Sequence, residues 1–195
     1  MIHINEPATS PLVLVILGSI REGRICPKIG AWVADIGRET TGAVFEIVDL
    51  RDWPLPMDDE PAIPATGVYR GDHTRAWSRK VSQGQAVVFV TPQYNWGYPA
   101  ALKNALDHLY QEWRDKPAVI VTYGGHGGDK CAQQLRQVVA GLNMRPVETM
   151  PGLKLARALI EANSGALQPD RDFASDRDQV RQAFDELAHL LQPVA

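Results

Sequence analysis

Three short runs concentrate side chains that could grip a flat, anionic molecule. They are Gly18-Ser19-Ile20-Arg21-Glu22-Gly23-Arg24, Pro92-Gln93-Tyr94-Asn95-Trp96-Gly97-Tyr98-Pro99 and Tyr123-Gly124-Gly125-His126-Gly127-Gly128. The first offers a hydroxyl, two guanidinium groups and two glycines ahead of a helix expected to start near Pro27. That is the equipment for a phosphate: fixed positive charge together with backbone N–H groups at a helix N-terminus. Glu22 must then face solvent. A basic surface turn would have the same composition. In the second run, an extended Pro-Gln-Tyr-Asn path would present backbone N–H groups to a planar heterocycle, with aromatic rings to cover it. Asn95 can both donate and accept. The alternative is a left-handed connection whose Tyr94 and Trp96 only pack. The four glycines of the third run permit close backbone approach to a flat ligand, and His126 alone reads as a solvated loop residue.

Each run follows an apolar stretch with the character of a strand buried on both faces. Leu12–Leu17 (LVLVIL) ends at Gly18, Ala86–Thr91 (AVVFVT) stops at Pro92, and Ala118–Thr122 (AVIVT) stops at Gly124. Weaker strands are expected over Val44–Val48 and Pro146–Met150. Pro99 fits the first turn of a helix whose stripe is Leu102, Leu106, Leu109 and Trp113. Ala132, Leu135, Val139 and Leu142 form a second stripe, and Val180, Phe184, Leu187 and Leu191 a third. This alternation predicts an α/β protein, one domain over residues 1–195, with a parallel sheet covered on both faces. Ligands of such sheets gather beyond the carboxyl ends of the strands, where the strand order reverses. Residues 51–77 interrupt the pattern with Pro54, Pro56, Pro61 and Pro64, which forbid regular structure over much of the segment. With Trp53, Asp72 and His73, it is a candidate for shaping substrate access, or else a plain surface excursion.

Composition bounds the function classes. The 195 residues are 45% hydrophobic and 22% charged, an ordinary globular balance. Twenty Lys and Arg stand against 23 Asp and Glu, giving a formal charge of -3, which excludes nucleic-acid binding by bulk positive charge. Cys26 and Cys131 lie far apart, which argues against a disulfide framework or zinc site, and no HExxH or carboxylate cluster suggests a metal. The Leu12–Leu17 run is too short to cross a bilayer and no basic segment precedes it, so a cytoplasmic protein without membrane contact is expected. No GxxxxGK[ST] loop is present. GGHGG fails GxGxxG because Lys130 takes the third glycine's place, and Cys131 is followed by Arg136, one place too early for Cys-x5-Arg.

In this order, each after a strand, the three runs resemble the NAD(P)H-dependent FMN reductase family, flavodoxin-like flavoproteins that include quinone and azo-dye reductases. The match covers most of residues 11–155. Its most specific part is PQYNWGYPAALKNALDHLYQEW at Pro92–Trp113, which resembles the family's P-x-Y-N-x-x-x-P-x-x-L-K-N-A-x-D pattern. GSIREGR resembles its phosphate loop and YGGHGG its second flavin-contacting loop; Cys26 stands near a place where the family often has a small hydroxyl residue.

The resemblance implies a flavodoxin-like three-layer fold, with a five-stranded parallel sheet and helices on both faces. It implies FMN as cofactor and NADPH or NADH as electron donor. Ser19, Arg21 and Arg24 would hold the FMN phosphate. Pro92, Gln93, Tyr94, Asn95 and Trp96 would line the isoalloxazine edge and ribityl chain, and Tyr123, Gly124 and Gly125 would approach the ring. A homodimer or homotetramer is implied, with the 99–113 segment at the interface. The implied acceptors are a quinone, free flavin or an azo compound. No catalytic side chain is expected, because flavin N5 carries the hydride. Two other readings are a flavodoxin-like electron carrier or flavin-responsive binding protein, and a structural α/β domain whose loops no longer bind flavin. Electron carriers use strongly acidic surfaces, poorly matched by a charge of -3. If the first run is a phosphate loop, Arg21→Ala weakens FMN binding by about 1–3 kcal/mol, the scale of a charge-assisted hydrogen bond; an unchanged affinity in a fluorescence titration contradicts that assignment.

Overall fold

The computed structural model describes residues 10–57, 59–162 and 165–192. The chain runs β1 (Leu12–Leu17), α1 (Cys26–Thr41), β2 (Val44–Asp49), α2 (Asp72–Gln83), β3 (Ala86–Pro92), α3 (Ala100–Asp107), β4 (Pro117–Gly124) and α4 (Asp129–Gly141). It continues through β5 (Arg145–Pro146), β6 (Gly152–Lys154), α5 (Arg157–Ala162), α6 (Pro169–Asp172) and α7 (Arg177–Leu191). All strand pairs are parallel, in the order β2-β1-β3-β4-β5, with β6 also beside β4. This is the doubly wound order of flavodoxin-like sheets, which reverses direction between β1 and β3.

Alternate residues of the central strands feed two separate cores. Val13, Val15 and Leu17 of β1 pack with Ile29, Val33 and Ile36 of α1 and with Phe184 and Leu187 of α7. Leu14 and Ile16 point the other way, into a core with Trp77 of α2, Leu102 and Leu106 of α3, and Leu135 and Val139 of α4. A strand buried on both faces has no polar side to show, hence the unbroken apolar runs. The result is the three-layer arrangement expected from the alternation of elements.

Three expectations need correction. The stripe from Leu102 to Trp113 is not one helix: α3 ends at Asp107, although Leu109 and Trp113 remain buried. The Trp113 indole N–H turns back to donate to the Leu106 carbonyl at 3.1 Å, and the chain between them closes as a 3-10 turn over Gln111–Trp113. The strand expected over Pro146–Met150 is split into β5 and β6. Between them, Glu186 of α7 accepts from the Glu148 and Thr149 N–H groups at 2.8 and 2.9 Å, drawing the chain away from the ladder. The irregular segment ends at Gly71, because α2 starts at Asp72 within the stretch expected to lack structure.

α1 approaches the sheet closely through two glycines. A Cβ at Gly30 would collide with the Leu17 side chain, and one at Gly37 with the Phe45 and Phe184 rings. Phe45 and Phe184 are themselves packed edge to face at 5.5 Å between centroids, so neither ring has room to retreat. Gly37→Ala should therefore lower stability by about 1–3 kcal/mol through overpacking, against the roughly 0.5–1 kcal/mol that alanine ordinarily adds within a helix. The urea midpoint should fall; a rise would show that the rings yield freely.

Candidate functional site

The carboxyl ends of four strands meet at one edge of the sheet. Leu17 of β1 lies between Asp49 of β2 and Val90 of β3, and Pro92 pairs with Tyr123 of β4. The three runs leave the sheet side by side. The Gly18 N–H donates to the Val90 carbonyl at 2.9 Å, and a Cβ there would press on Thr91 and Leu102. Ser19 is fully buried, with its hydroxyl 2.9 Å from that of Tyr94, which ties the first run to the second. Arg21 is exposed and lies over the Tyr94 ring, 4.0 Å from its centroid. Glu22 is exposed, but it also lines the cleft that these runs border rather than standing clear of it. Gly23 takes a left-handed φ of 70°, and the chain turns so that Arg24 points inward.

Arg24 is the polar anomaly of this edge. Its side chain is only 8% exposed and pairs through Nη2 with Asp49, while its Nε and Nη1 are buried without a partner. Buried guanidinium N–H groups lacking acceptors are costly, and a bound anion would satisfy them. Nearby, the Cys26 thiol donates to the Val90 carbonyl at 3.3 Å. Burial raises the pKa of this thiol and also that of the adjacent Tyr123 hydroxyl, keeping both neutral beside Arg24.

The second run leaves β3 at Pro92 and turns left-handed at Asn95 and Trp96, so the extended path expected through Asn95 stops at Tyr94. Asn95 and Trp96 have φ of 47° and 71° and form a tight turn between Tyr94 and Gly97, which exchange both backbone hydrogen bonds. The Tyr94 N–H is thus committed to Gly97, and the Gln93 N–H donates to the Tyr123 carbonyl at 2.9 Å. Neither is free for a heterocycle. The Gln93 side-chain carbonyl accepts from the Cys131 N–H at 3.1 Å, fixing the amide against α4. Trp96 does not pack; it is 67% exposed, in a conformation that bulky residues rarely adopt.

The glycines of the third run divide into two pairs. Gly127 and Gly128 have φ of 76° and 87° and press on Gly152 and Thr122, so the fold itself requires them. A Cβ at Gly124 or Gly125 would meet no backbone; it would instead narrow the space in front of Gln93 and Ile160. These two glycines face an open cleft of about 300 Å³.

That cleft is lined by Arg21, Arg24, Pro92, Gln93, Tyr94, Tyr123, Gly124 and Gly125, bringing all three runs together. Ser19, Asn95 and Trp96 do not line it. Its opposite wall was missing from the sequence reading: Leu155, Leu159, Ile160 and residues 165–167 close it from beyond β6. The apolar spacing of Leu155, Leu159 and Ile160 was the available signal, but nothing in it indicates which neighbour they meet.

No described residue of the 51–77 segment lines this cleft. Arg51, Trp53, Pro54, Leu55 and Met57 instead wall a separate cavity of about 510 Å³ together with Leu50, Ile20 and Ala100. The same stretch is strapped against α3 and α2: Asn104 donates to the Leu55 carbonyl at 2.8 Å, and Trp53 packs on Trp77 of α2. Asp59, His73 and His108 bring ligand-type atoms within 4.8 Å of one another. Both nitrogens of His108 already have partners, Thr74 Oγ1 at 3.0 Å and the Pro56 carbonyl at 2.7 Å, so this histidine acts as a latch for the strap.

The family model for NADPH-dependent FMN reductases matches residues 11–153. An NAD(P)H-dependent FMN reductase of Schizosaccharomyces pombe is 49% identical over 185 residues, covering 94% of this chain and 92% of its own. A quinone reductase of Escherichia coli K12 is 32% identical over 157 residues, covering 72% and 77%. Among solved structures, the flavoenzyme NAD(P)H:acceptor oxidoreductase FerB of Paracoccus denitrificans superposes with a TM-score of 0.69 at 18% identity, covering 92% of this chain and 98% of its own, a likeness of fold. The strand order, the cleft and these matches agree, and the chain belongs to the NADPH-dependent FMN reductase family.

Proposed function

We propose that this protein is an NAD(P)H-dependent, FMN-containing oxidoreductase that passes two electrons to quinones, free flavin or azo compounds. The observation that carries the reading is Arg24: a buried cation with two unmatched nitrogens beside a glycine-walled cleft is shaped to receive a phosphate. FMN, when bound, supplies the redox chemistry, accepting hydride from the nicotinamide and giving up electrons to the acceptor. The chain supplies the rest. Arg24 and Arg21 hold the phosphate, and Asp49 keeps the Arg24 guanidinium in place. Gly124 and Gly125 admit the ring system to close backbone contact, with Gln93 and Tyr94 along its edge. Ser19 acts through Tyr94, as a tether between loops. Asn95 and Trp96 stand outside the cleft, where they would meet an incoming acceptor or a second chain.

The same proposal includes a cytoplasmic homodimer. The exposed Ile20, Met57 and Trp96 supply apolar surface near the three runs, and the two cysteines are buried free thiols.

The phosphate assignment is tested by comparing FMN with riboflavin, which lacks the phosphate. The wild type should bind FMN far more tightly. Arg24→Met should remove about 10–100-fold of that preference, the equivalent of roughly 1.4–2.8 kcal/mol, with Arg24→Lys recovering part of it. An FMN-to-riboflavin ratio unchanged in a correctly folded Arg24→Met variant contradicts the assignment. Stopped turnover of NADPH and NADH with menadione, despite added FMN, contradicts the oxidoreductase reading itself.

A further inference from the structure

A second cavity, of about 600 Å³, adjoins the cleft and shares Gly125, Leu155, Leu159 and Ile160 with it. A molecule seated in one can therefore extend into the other, and the volume lies within the roughly 300–1,000 Å³ of ordinary cofactor sites. The shared wall is apolar, suited to a purine face. The remaining wall carries two cations, Lys154 and Arg157, together with the imidazole of His126.

Both side chains are exposed at the mouth of this cavity. Lys154 ends β6 in register with Gly124, and the next N–H, that of Leu155, donates to the Gly124 carbonyl at 2.9 Å. The base of its side chain is thus tied to the third run. Arg157 is 90% exposed and, among the described residues, pairs through Nε alone, toward Glu161 at 2.6 Å, which leaves its two terminal nitrogens available to a ligand. Asp172 is the one carboxylate in the wall among the described residues. Its charge is already met by the Gln168 N–H at 2.8 Å and by Arg171 at 2.8 Å. The cavity therefore presents net positive charge on the side of the cleft reached past Gly125, whereas the FMN phosphate is assigned to Arg24.

We propose that this cavity receives the 2′-phosphoadenosine end of NADPH, with Lys154 and Arg157 as the residues that distinguish NADPH from NADH. The inference rests on the coenzyme-dependent reading above. The two coenzymes differ only in the 2′-phosphate, a dianionic group for which an ammonium and a guanidinium are complementary partners. The apolar wall of Leu155 and Ile160 takes the adenine, and the nicotinamide lies toward Gly125 and the cleft.

The test is calorimetric titration of the FMN-loaded protein with adenosine 2′,5′-bisphosphate and, separately, with 5′-AMP. The wild type should bind the bisphosphate at least about tenfold more tightly, equivalent to 1.4 kcal/mol. Lys154→Gln and Arg157→Gln should each lower that ratio several-fold, and the double variant should abolish it. The ratio of kcat/KM for NADPH to that for NADH should fall in parallel. Equal binding of the two nucleotides by the wild type, or a ratio unmoved in the double variant, overturns the proposal. A wild type that selects the bisphosphate yet oxidises neither coenzyme leaves this site standing and overturns the oxidoreductase reading instead.

Discussion

The buried guanidinium of Arg24 sets a condition that the surrounding structure has to meet. One nitrogen is matched by Asp49 at the end of β2, and two others have no acceptor. Leaving such groups unmatched costs on the order of 1–3 kcal/mol each, a large share of the stability of a domain this size. Asp49 offsets part of that cost, and the neutral thiol and phenol nearby add no competing negative charge. A bound phosphate would offset the rest. Under the proposed assignment, folding and anion binding would be linked through this one side chain.

The sheet makes that arrangement possible. Because β1 lies between β2 and β3, the first run leaves the sheet beside Asp49 on one side and the second run on the other. Tyr94 then serves both: its hydroxyl meets Ser19, and its ring lies under Arg21. Close approach of the third run depends on Gly127 and Gly128, whose left-handed conformations seat the loop on β6 and leave Gly124 and Gly125 open to the cleft. Redox chemistry places few demands on side chains here, consistent with a cleft that offers phosphate-binding cations, an anchored amide and bare backbone rather than an acid–base set.

The central strands were readable because burial on both faces requires continuous apolar runs, and the loops followed from where those runs stop. What could not be read depended on distant contacts. The split of the last strand depends on Glu186, some 38 residues away in sequence. The early end of α3 depends on an indole turning back to Leu106, while Leu109 and Trp113 keep the helical spacing that suggested otherwise. Arg24 offers by type the charge that a phosphate needs, but its burial beside Asp49 of the neighbouring strand could not be read. Ser19 carries the right hydroxyl for an anion, yet Tyr94 holds it. The apolar wall of Leu155, Leu159, Ile160 and Leu167 had no local pattern strong enough to show that it closes the cleft.

The account is tested most directly by the visible spectrum of the purified protein, recorded without oxygen as NADPH is added. Protein-bound FMN should absorb near the usual flavin bands, bleach on addition of about one equivalent of coenzyme, and recover when a quinone is supplied. A protein that neither carries FMN nor takes it up when supplied would contradict the account, as would bound FMN whose absorbance is unaffected by NADPH and NADH alike.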